Sequence, residues 1–218
     1  MSFQSAHNDG TDMVILANGS FPTHPIALSL LRFAEYIICC DGSAAKLLNA
    51  GIKPNAIVGD IDSLSVALQA QYSSIIHKSA DQESNDLTKA VLYAIDQNPA
   101  SIAILGATGL REDHTIGNIS LLSHYRTITD IDITLYTDTG KFIPITATTT
   151  ITTPAGSKVS IFSLDPDIHI VSNGLLYPLD KVVFDSWWKA TLNQTTTDHF
   201  ELIFETGKRV IIYIAYCD

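Results

Sequence analysis

The chain has 218 residues, of which 46% are hydrophobic, and its formal net charge at pH 7 is −10. This hydrophobic content excludes a disordered chain, and the lack of any basic run argues against a protein that binds nucleic acid by neutralising phosphates. No apolar stretch reaches the roughly 18 residues of a membrane span, and the opening "MSFQSAHNDGTD" does not have the pattern of a signal peptide. We therefore expect a soluble, cytoplasmic protein that binds neither nucleic acid nor membrane.

From residue 13 onward, short apolar runs alternate with longer segments of helical periodicity. The predicted strands are 13–17, 36–40, 56–58, 74–78, 101–105 and 132–136. The helical segments between them start near His24, Ser43, Ser65, Asn85 and His114, with Ser43 as a candidate helix N-cap. This alternation is typical of an α/β domain with a mostly parallel sheet, whose strands read as continuous apolar runs because both faces are buried.

The composition and the pattern of the chain change after about residue 140. Threonine becomes dense in "ITATTTITT", and strand-like pieces follow one another, separated by turn signals such as "PAG" and "SNG". We expect a small all-β sandwich here. The predicted domains are therefore 1–138, an α/β domain, and 139–218, a β-sandwich domain, with the boundary in "YTDTGKF".

Polar side chains follow the predicted strands at the edge where a parallel sheet binds its ligands. Asp60 and Asp62 in "VGDIDSL" come directly after the third strand. Two more Asp-x-Asp triplets occur, 130–132 and 165–167, but one precedes its strand and the other lies in the β-rich part, so only position distinguishes the first pair. The residues expected at this edge are Asp41, Asp60, Asp62, Asp81, Gln82, Asp86, Arg111, Asp113, His114 and Asp138.

Each of these aspartates taken alone has an alternative explanation as a turn or cap residue. Capping accounts for one acid per loop, but not for "DID", "DQESND" and "RED" together. Crowded carboxylates repel one another unless they share a cation, and Mg²⁺ takes carboxylate oxygens together with water and substrate phosphates. The sequence therefore predicts a Mg²⁺ site formed by Asp60, Asp62 and Asp86.

The segment "LGATGLREDHTIGN" adds evidence for an anionic ligand. Gly106 and Gly109 permit a tight loop with free backbone N–H groups, which suit a phosphate. Arg111 stands beside the acids, and its guanidinium suggests a polyphosphate, with a surface salt bridge as the alternative. The stretch "ANGS" at 17–20 is a second, weaker candidate phosphate loop.

The motifs "CDGSAAKLL", "VGDIDSL", "DQESNDLTKAV" and "LGATGLREDHTIGN", in this order and spacing, resemble the thiamin pyrophosphokinase family. "GLLYPL" and "ATLNQ" fit the second half of that family, so the resemblance covers nearly the whole chain. It implies an enzyme that moves the terminal pyrophosphate of ATP to the hydroxyl of thiamin and releases AMP. It also implies a homodimer with active sites at the interface between the two copies.

Carried over position by position, the resemblance implies that Asp60, Asp62 and Asp86 hold Mg²⁺. The nucleotide site would be lined by Gln82, Arg111, Asp113 and Asn118, with Asp41 close by. Tyr177 would stand against the thiamin rings and Asn193 would match an Asn of a Ser-Asn pair, whereas the Ser of that pair is Leu192 here. A hydroxyl is therefore missing from the expected thiamin pocket.

The expected chemistry is in-line attack by a substrate hydroxyl on the β-phosphorus, which depends mainly on positioning and charge neutralisation. Arg111 is expected to neutralise charge, and Asp113 to orient or deprotonate the hydroxyl, with a metal role or an indirect role as alternatives. An acidic, aromatic pocket suits the thiazolium cation. Trp187 and Trp188 are adjacent in an expected strand and face opposite ways, so we expect packing rather than ligand contact from them.

Three other functions remain open on the sequence. The same transfer to another alcohol, such as a hydroxymethylpterin, is the nearest alternative. A phosphohydrolase with Asp60 as covalent nucleophile is a second, because an Asp-x-Asp after a strand suits it. A nucleotide-binding module without turnover is a third.

Overall fold

The computed structural model describes residues 12–79, 81 and 83–217. Its first part alternates strands and helices, as the sequence predicts. The strands there are β1 Met13–Leu16, β2 Tyr36–Cys40, β3 Ala56–Gly59, β4 Ile76–Lys78, β5 Ser101–Leu105 and β6 Asp132–Tyr136. The helices are α1 Pro25–Phe33, α2 Ser43–Asn49, α3 Val66–Gln71, α4 Asp86–Asp96 and α5 Glu112–Ile128.

A polar side chain starts helix α4, which carries Asp86. The side chain of Asn85 accepts a hydrogen bond from the Thr88 N–H, which caps α4 and places Asp86 in its first turn. The predicted capping role of Ser43 is wrong. Gly42 occupies the N-cap of α2, and the Ser43 hydroxyl donates instead to the Leu16 carbonyl at 2.6 Å, which ties α2 to the end of β1.

The main sheet runs in the order β4-β3-β2-β1-β5-β6 across its parallel part. Strand β1 pairs in parallel with both β2 and β5, so the chain reverses its direction of travel across the sheet at β1. The loops after β1 and β5 therefore separate and leave a crevice at the carboxyl ends, which is where open α/β sheets bind ligands. Helices cover both faces, with α1 and α2 on one side and α4 and α5 on the other.

The strands of the second part are mostly antiparallel. They are β7 Gly140–Ile145, β8 Thr149–Thr152, β9 Lys158–Ser163, β10 Val171–Asn173, β11 Asn193–Gln194, β12 His199–Ile203 and β13 Val210–Ala215. Strands β7, β13, β9 and β11 extend the main sheet, while β10, β12 and β8 form a separate three-stranded sheet. Residues of both sheets, among them Ile161, Ile212, Phe200 and Leu202, share one hydrophobic core, which is the sandwich arrangement predicted from the sequence.

The segment expected to separate the domains is a tight turn between two paired strands. Leu135 lies opposite Phe142 and Tyr136 opposite Lys141, so the main sheet continues from β6 into β7. Strand β7 is not among the predicted strands, because "GKFIPI" contains a proline and directly follows turn residues. No helix in the residues described is long and apolar enough to cross a membrane.

Candidate active site

Three carboxylates from separate segments meet at the carboxyl end of the sheet. Asp41 follows β2, Asp60 follows β3 and Asp86 opens α4. One oxygen of each lies within 4.8 Å of the others. We call Asp41, Asp60 and Asp86 the acidic group. The oxygens are close enough for one divalent ion to bind them all, and the hard oxygen donors are those that Mg²⁺ prefers.

Asp41 is the most constrained member of the acidic group. Its side chain is 2% exposed, and its backbone lies in the left-handed region with φ of 33°. Oδ2 accepts a hydrogen bond from the Ser63 N–H at 3.0 Å, whereas Oδ1 is buried without a partner among the described residues. Burial raises the pKa of Asp41, and the nearby carboxylates of Asp86 and Asp62 raise it further. An orphaned, buried carboxylate oxygen beside two more acids is a site that a cation would stabilise.

Asp62 lies beside the acidic group but is not a member of it. Its N–H points at Asp60 Oδ1 at 3.4 Å, and its own Oδ1 accepts from the Ser63 hydroxyl at 3.0 Å. The prediction that Asp62 holds the metal remains a prediction. The structure adds Asp41 to the predicted Asp60 and Asp86, because the Asp41 carboxylate accepts a hydrogen bond from Ser63 in the loop after β3.

Gly59 allows this close approach of carboxylates. A Cβ at this position would lie 3.1 Å from the Asp41 Cβ and 3.3 Å from Asp86 Oδ1. Both distances are tighter than ordinary van der Waals contact. A side chain at position 59 would therefore push Asp41 and Asp86 apart.

A lysine already accompanies the acidic group. Lys89, one turn after Asp86 in α4, places Nζ 3.1 Å from Asp86 Oδ1. The Lys89 side chain is 6% exposed and that of Asp86 36% exposed. Lys89 is not among the predicted site residues, although an i,i+3 acid–base pair in the first turn of a predicted helix is a signal for it in the sequence.

A cavity of about 350 Å³ opens next to the acidic group, and we call it the switch-point cavity. It lies between the loops after β1 and β5, at the point where the order of the strands along the sheet reverses. Its lining comprises Ala17, Asn18, Gly19, Cys40, Asn85, Asp86, Leu87, Ala107, Thr108, Leu110, Arg111, His114, Thr115 and Asn118. Asp86 belongs to both the acidic group and this lining, so a ligand in the cavity would reach the carboxylates.

The two glycine-containing loops of the cavity are bonded to each other. Gly19 N–H donates to the Gly106 carbonyl at 2.6 Å and Ser20 N–H to the Thr108 carbonyl at 2.9 Å. A Cβ at Gly19 would lie 2.4 Å from the Gly106 oxygen, so only glycine fits there. These two N–H groups are therefore engaged, whereas Ala17, Asn18 and Gly19 line the cavity, so "ANGS" as a weaker candidate phosphate loop stays a prediction.

Arg111 and Asp113 form a bidentate ion pair at the start of α5. Arg111 Nε and Nη2 lie 3.1 and 2.5 Å from the two Asp113 oxygens, and the His114 N–H donates to Asp113 Oδ1 at 2.9 Å. Arg111 lowers the pKa of Asp113. The two side chains remain 70% and 62% exposed, so Arg111 can turn toward a ligand in the cavity.

Asn118 connects three segments of the cavity wall. Its Nδ2 donates to the Ala107 carbonyl at 2.8 Å, and its Oδ1 accepts from Asn85 Nδ2 at 3.3 Å. The amide thus joins α5 to the loop after β5 and to the cap of α4. Gln82, also predicted for the nucleotide site, lies outside the described residues.

The predicted thiamin residues lie together in the second part of the chain. Asn193 is 3% exposed; its Nδ2 donates to the Tyr177 carbonyl at 2.7 Å and its Oδ1 accepts the Tyr177 N–H at 3.1 Å. Asn193 therefore holds the backbone of Tyr177, whose ring is 61% exposed. Leu192 is 85% exposed and has φ of 60°, an unusual conformation for leucine.

The two tryptophans do not lie in a strand. Trp187 and Trp188 occupy a turn between β10 and β11, so the alternation argument for their orientation does not apply. Trp187 packs edge-on against Phe162, with ring centroids 6.0 Å apart. Trp188 is 72% exposed.

Comparison with known proteins agrees with this arrangement. The family model for the thiamin pyrophosphokinase catalytic domain matches residues 27–135, and the model for the thiamin pyrophosphokinase substrate-binding domain matches residues 140–213. The chain is 31% identical over 120 residues to thiamine pyrophosphokinase 1 of Oryza sativa subsp. japonica, a match that covers 44% of this chain and 46% of that protein. It is 35% identical over 86 residues to thiamine pyrophosphokinase of Bacillus subtilis, covering 38% and 40%. The chain thus spans less than half the length of the curated relatives it matches.

Solved structures establish the fold over almost the whole chain. The crystal structure of thiamine pyrophosphokinase from Bacillus subtilis superposes with a TM-score of 0.76 at 24% identity, covering 94% of this chain and all of that one. Thiamin pyrophosphokinase from Candida albicans gives 0.75 at 19% identity, covering 94% and 90%. Two family models in the right order, together with this fold and an acidic group inside the catalytic match, agree on one family. The chain belongs to the thiamin pyrophosphokinase family.

Proposed function

We propose that this protein is a thiamin pyrophosphokinase, which transfers the pyrophosphate of ATP to the hydroxyl of thiamin and gives thiamin diphosphate and AMP. The observation that carries the proposal is the acidic group of Asp41, Asp60 and Asp86, which adjoins the switch-point cavity inside the segment matched by the catalytic-domain model. Names of the curated relatives support the same reaction.

The acidic group would hold Mg²⁺, with Asp62 next to it as a further candidate ligand. The fit rests on three carboxylate oxygens within 4.8 Å and on the orphaned Oδ1 of Asp41. When bound, Mg²⁺ would neutralise phosphate charge and orient the phosphates for displacement. Lys89 would hold Asp86 in place through its 3.1 Å contact.

Arg111 is the candidate to bind the polyphosphate of ATP in the switch-point cavity. Its guanidinium presents a planar pair of donors, which here engage Asp113 and which match a phosphate equally well. Asn118 would maintain the cavity wall through its bonds to Ala107 and Asn85. Gln82 and Asp41 complete the nucleotide site proposed from the sequence.

While it is paired with Arg111, Asp113 is a weak general base. Arg111 keeps its pKa below the ordinary range, and a less basic carboxylate accepts a proton less readily near neutral pH. With Arg111 turned toward phosphate this cause is removed, and Asp113 could orient or deprotonate the thiamin hydroxyl.

Thiamin would contact the exposed ring of Tyr177, which Asn193 positions through its backbone. An aromatic face suits the thiazolium cation. We propose a homodimer in which the second copy completes the site. Exposed apolar side chains in the same segment as Tyr177, between β10 and β11, support an interface there: Trp188 at 72% and Leu192 at 85% exposure.

We further propose that residues 1–138 form the catalytic domain and 139–218 the thiamin-binding and dimerisation domain, in a cytoplasmic enzyme. The separate hydrophobic core of the second part, which contains Ile161 and Phe200, supports this division.

Mass spectrometry of the products after incubation with ATP, Mg²⁺ and thiamin tests the reaction. Thiamin diphosphate with equimolar AMP supports the proposal. Release of ADP or phosphate would point to a kinase or hydrolase instead, and an aspartyl-phosphate on Asp60 would reveal the covalent mechanism. Product formation with a hydroxymethylpterin but not with thiamin would assign the alternative substrate. Sedimentation at working concentration tests the dimer, and a monomer with full activity would contradict a shared site.

A further inference from the structure

The structure contains a second, larger cavity that the proposed reaction does not use. It has a volume of about 980 Å³, within the range of small-molecule sites. We call it the side cavity. It shares no lining residue with the switch-point cavity among the described residues, so it is not an extension of the nucleotide site.

Helix α1 and the end of β13 form the apolar part of the side cavity. Helix α1 contributes Ile26, Leu30 and Phe33, and β13 contributes Ile214. Phe33 is 79% exposed and Ile26 43% exposed. A largely exposed phenylalanine next to a concave apolar surface can bury the apolar part of a ligand.

The charge of the side cavity is opposite to that of the protein. The chain carries 23 acidic residues against 13 lysines and arginines, yet none of the described residues that line this cavity is Asp or Glu. Lys141, on β7, is the cation of the lining. Its side chain is partly buried and forms no ion pair within the described part of the chain. A lysine left unpaired against an apolar surface favours an anionic partner.

His24 adds a donor on the other side of the cavity. Its Nδ1 accepts from the Ile26 N–H at 3.3 Å, so in the neutral ring the proton resides on Nε2. The ring stacks on Tyr216 with centroids 4.1 Å apart and an angle of 14°, which keeps it in position. Asp138, which is not a lining residue, accepts hydrogen bonds from the Thr23 N–H and hydroxyl and from the backbone N–H of His24. Three donors, one of them on a lining residue, therefore offset its charge.

We propose that the side cavity binds a small organic anion, with its apolar body against α1 and its charged group on Lys141. Charge complementarity selects this ligand class: among the described residues, the lining presents Lys141, the His24 ring and apolar carbon, and no carboxylate. An aromatic sulfonate, carboxylate or phosphate meets both requirements.

A fluorescence titration of the full-length chain with 1-anilinonaphthalene-8-sulfonate tests the proposal. The wild-type protein should bind the probe saturably, and ATP with Mg²⁺ should not displace it. Lys141→Met should weaken binding about tenfold, the effect of losing one charge-assisted hydrogen bond. Lys158→Met, which removes an exposed strand lysine outside the cavity, is the matched control and should bind as wild type does. Ser29→Trp, which fills the cavity from α1, should abolish the signal.

A neutral probe of the same shape separates charge recognition from nonspecific apolar binding. N-phenyl-1-naphthylamine should bind the wild-type protein about tenfold more weakly than the sulfonate and should not distinguish Lys141→Met from wild type. Equal affinity of the two probes for the wild-type protein would overturn the proposal, as would displacement by ATP or unchanged affinity in Lys141→Met. Near-UV circular dichroism verifies native packing, because partly folded chains also bind the sulfonate. If Lys141→Met does not fold, the comparison of the two probes on the wild-type protein decides.

Discussion

Lys89 Nζ lies 3.1 Å from Asp86 Oδ1, with the lysine side chain 6% exposed and the aspartate 36% exposed. The ammonium therefore occupies the buried side of a carboxylate whose other side faces the acidic group and the cavity. A fixed positive charge here both holds Asp86 and reduces the negative potential that a metal ion would feel. Mg²⁺ affinity measures which of the two effects is larger, the positioning of Asp86 or the reduced negative potential.

Lys89→Met replaces the buried charge with a side chain of similar length. Removing the positive charge beside the acidic group should tighten Mg²⁺ binding roughly tenfold. This is the size expected for the loss of a screened repulsion between the ammonium and the metal ion across a few ångströms. Isothermal titration with Mg²⁺ measures this, with Lys53→Met, an exposed loop lysine, as the control. Weaker Mg²⁺ binding in Lys89→Met would show instead that Lys89 acts mainly by orienting Asp86.

Asp60→Asn should reduce turnover by about 100-fold or more, because loss of one anionic metal ligand removes several kcal/mol of charge stabilisation. The control is Asp132→Asn, an exposed aspartate from another Asp-x-Asp triplet, which should leave kcat unchanged. Near-normal turnover in Asp60→Asn would contradict the metal role. Asp62→Asn, measured in parallel, decides whether Asp62 also contributes, since it lies beside the acidic group rather than in it.

Asp41→Asn should stabilise the metal-free protein while it reduces activity. Burial raises the pKa of Asp41 above its ordinary value of 3.8, so the folded chain holds this proton more tightly than the unfolded chain does. The free energy of unfolding therefore falls as pH rises through the folded pKa, and ionised Asp41 destabilises the fold at neutral pH. Asparagine keeps an acceptor for the Ser63 N–H and tolerates the positive φ.

Thermal unfolding at pH 7.5 without metal should show a Tm a few degrees higher for Asp41→Asn than for wild type, since 1 kcal/mol shifts Tm by roughly 2–4 °C in a chain of this size. The gain should vanish below pH 3.8, where the aspartate is protonated in both states. Added Mg²⁺ should raise the Tm of the wild type more than that of the variant. A lower Tm in the variant at pH 7.5 would contradict this account.

Gly59→Ala should weaken Mg²⁺ binding and lower the Tm, because φ of 157° at this position is a conformation that L side chains rarely adopt. The new methyl group would stand 3.1 Å from the Asp41 Cβ and 3.3 Å from Asp86 Oδ1, so the two carboxylates must separate by a few tenths of an ångström. Gly117→Ala is the control, because the position lies within α5 with open space around it and should gain stability from better helix propensity. Unchanged Mg²⁺ affinity in Gly59→Ala would mean that the acidic group tolerates a wider spacing.

Arg111→Lys should raise the KM for ATP about tenfold with little change in Tm. Lysine supplies the charge but not the planar pair of donors, and the ion pair with Asp113 is too exposed to contribute much stability. Arg126→Lys, further along the same helix, should leave KM unchanged. A lower kcat with unchanged KM in Arg111→Lys would place the guanidinium at the transition state only.

Local pattern predicted the secondary structure well. Strands β2, β5 and β6 begin and end at the predicted residues. The signal for these strands is an apolar, β-branched run between polar turn residues, which can be recognised from neighbouring residues in the sequence alone. The local pattern does not predict β7, and it predicts a strand at Trp187 and Trp188, where the structure has a turn. At β7 the backbone follows its pairing partners β6 and β13 rather than the local pattern.

The sequence by itself determined the order of the elements, the edge of the sheet that receives the polar loops, and the motifs that identify the family. Only the tertiary structure decided that Asp41 lies with Asp60 and Asp86, that Lys89 accompanies them, and that Asn193 holds Tyr177 by its backbone. The physical reason is that periodicity records which face of an element is buried, which is a local property. Distances between side chains on different loops depend instead on strand register, on the left-handed turn at Asp41 and on the close approach permitted by Gly59, none of which a local pattern encodes.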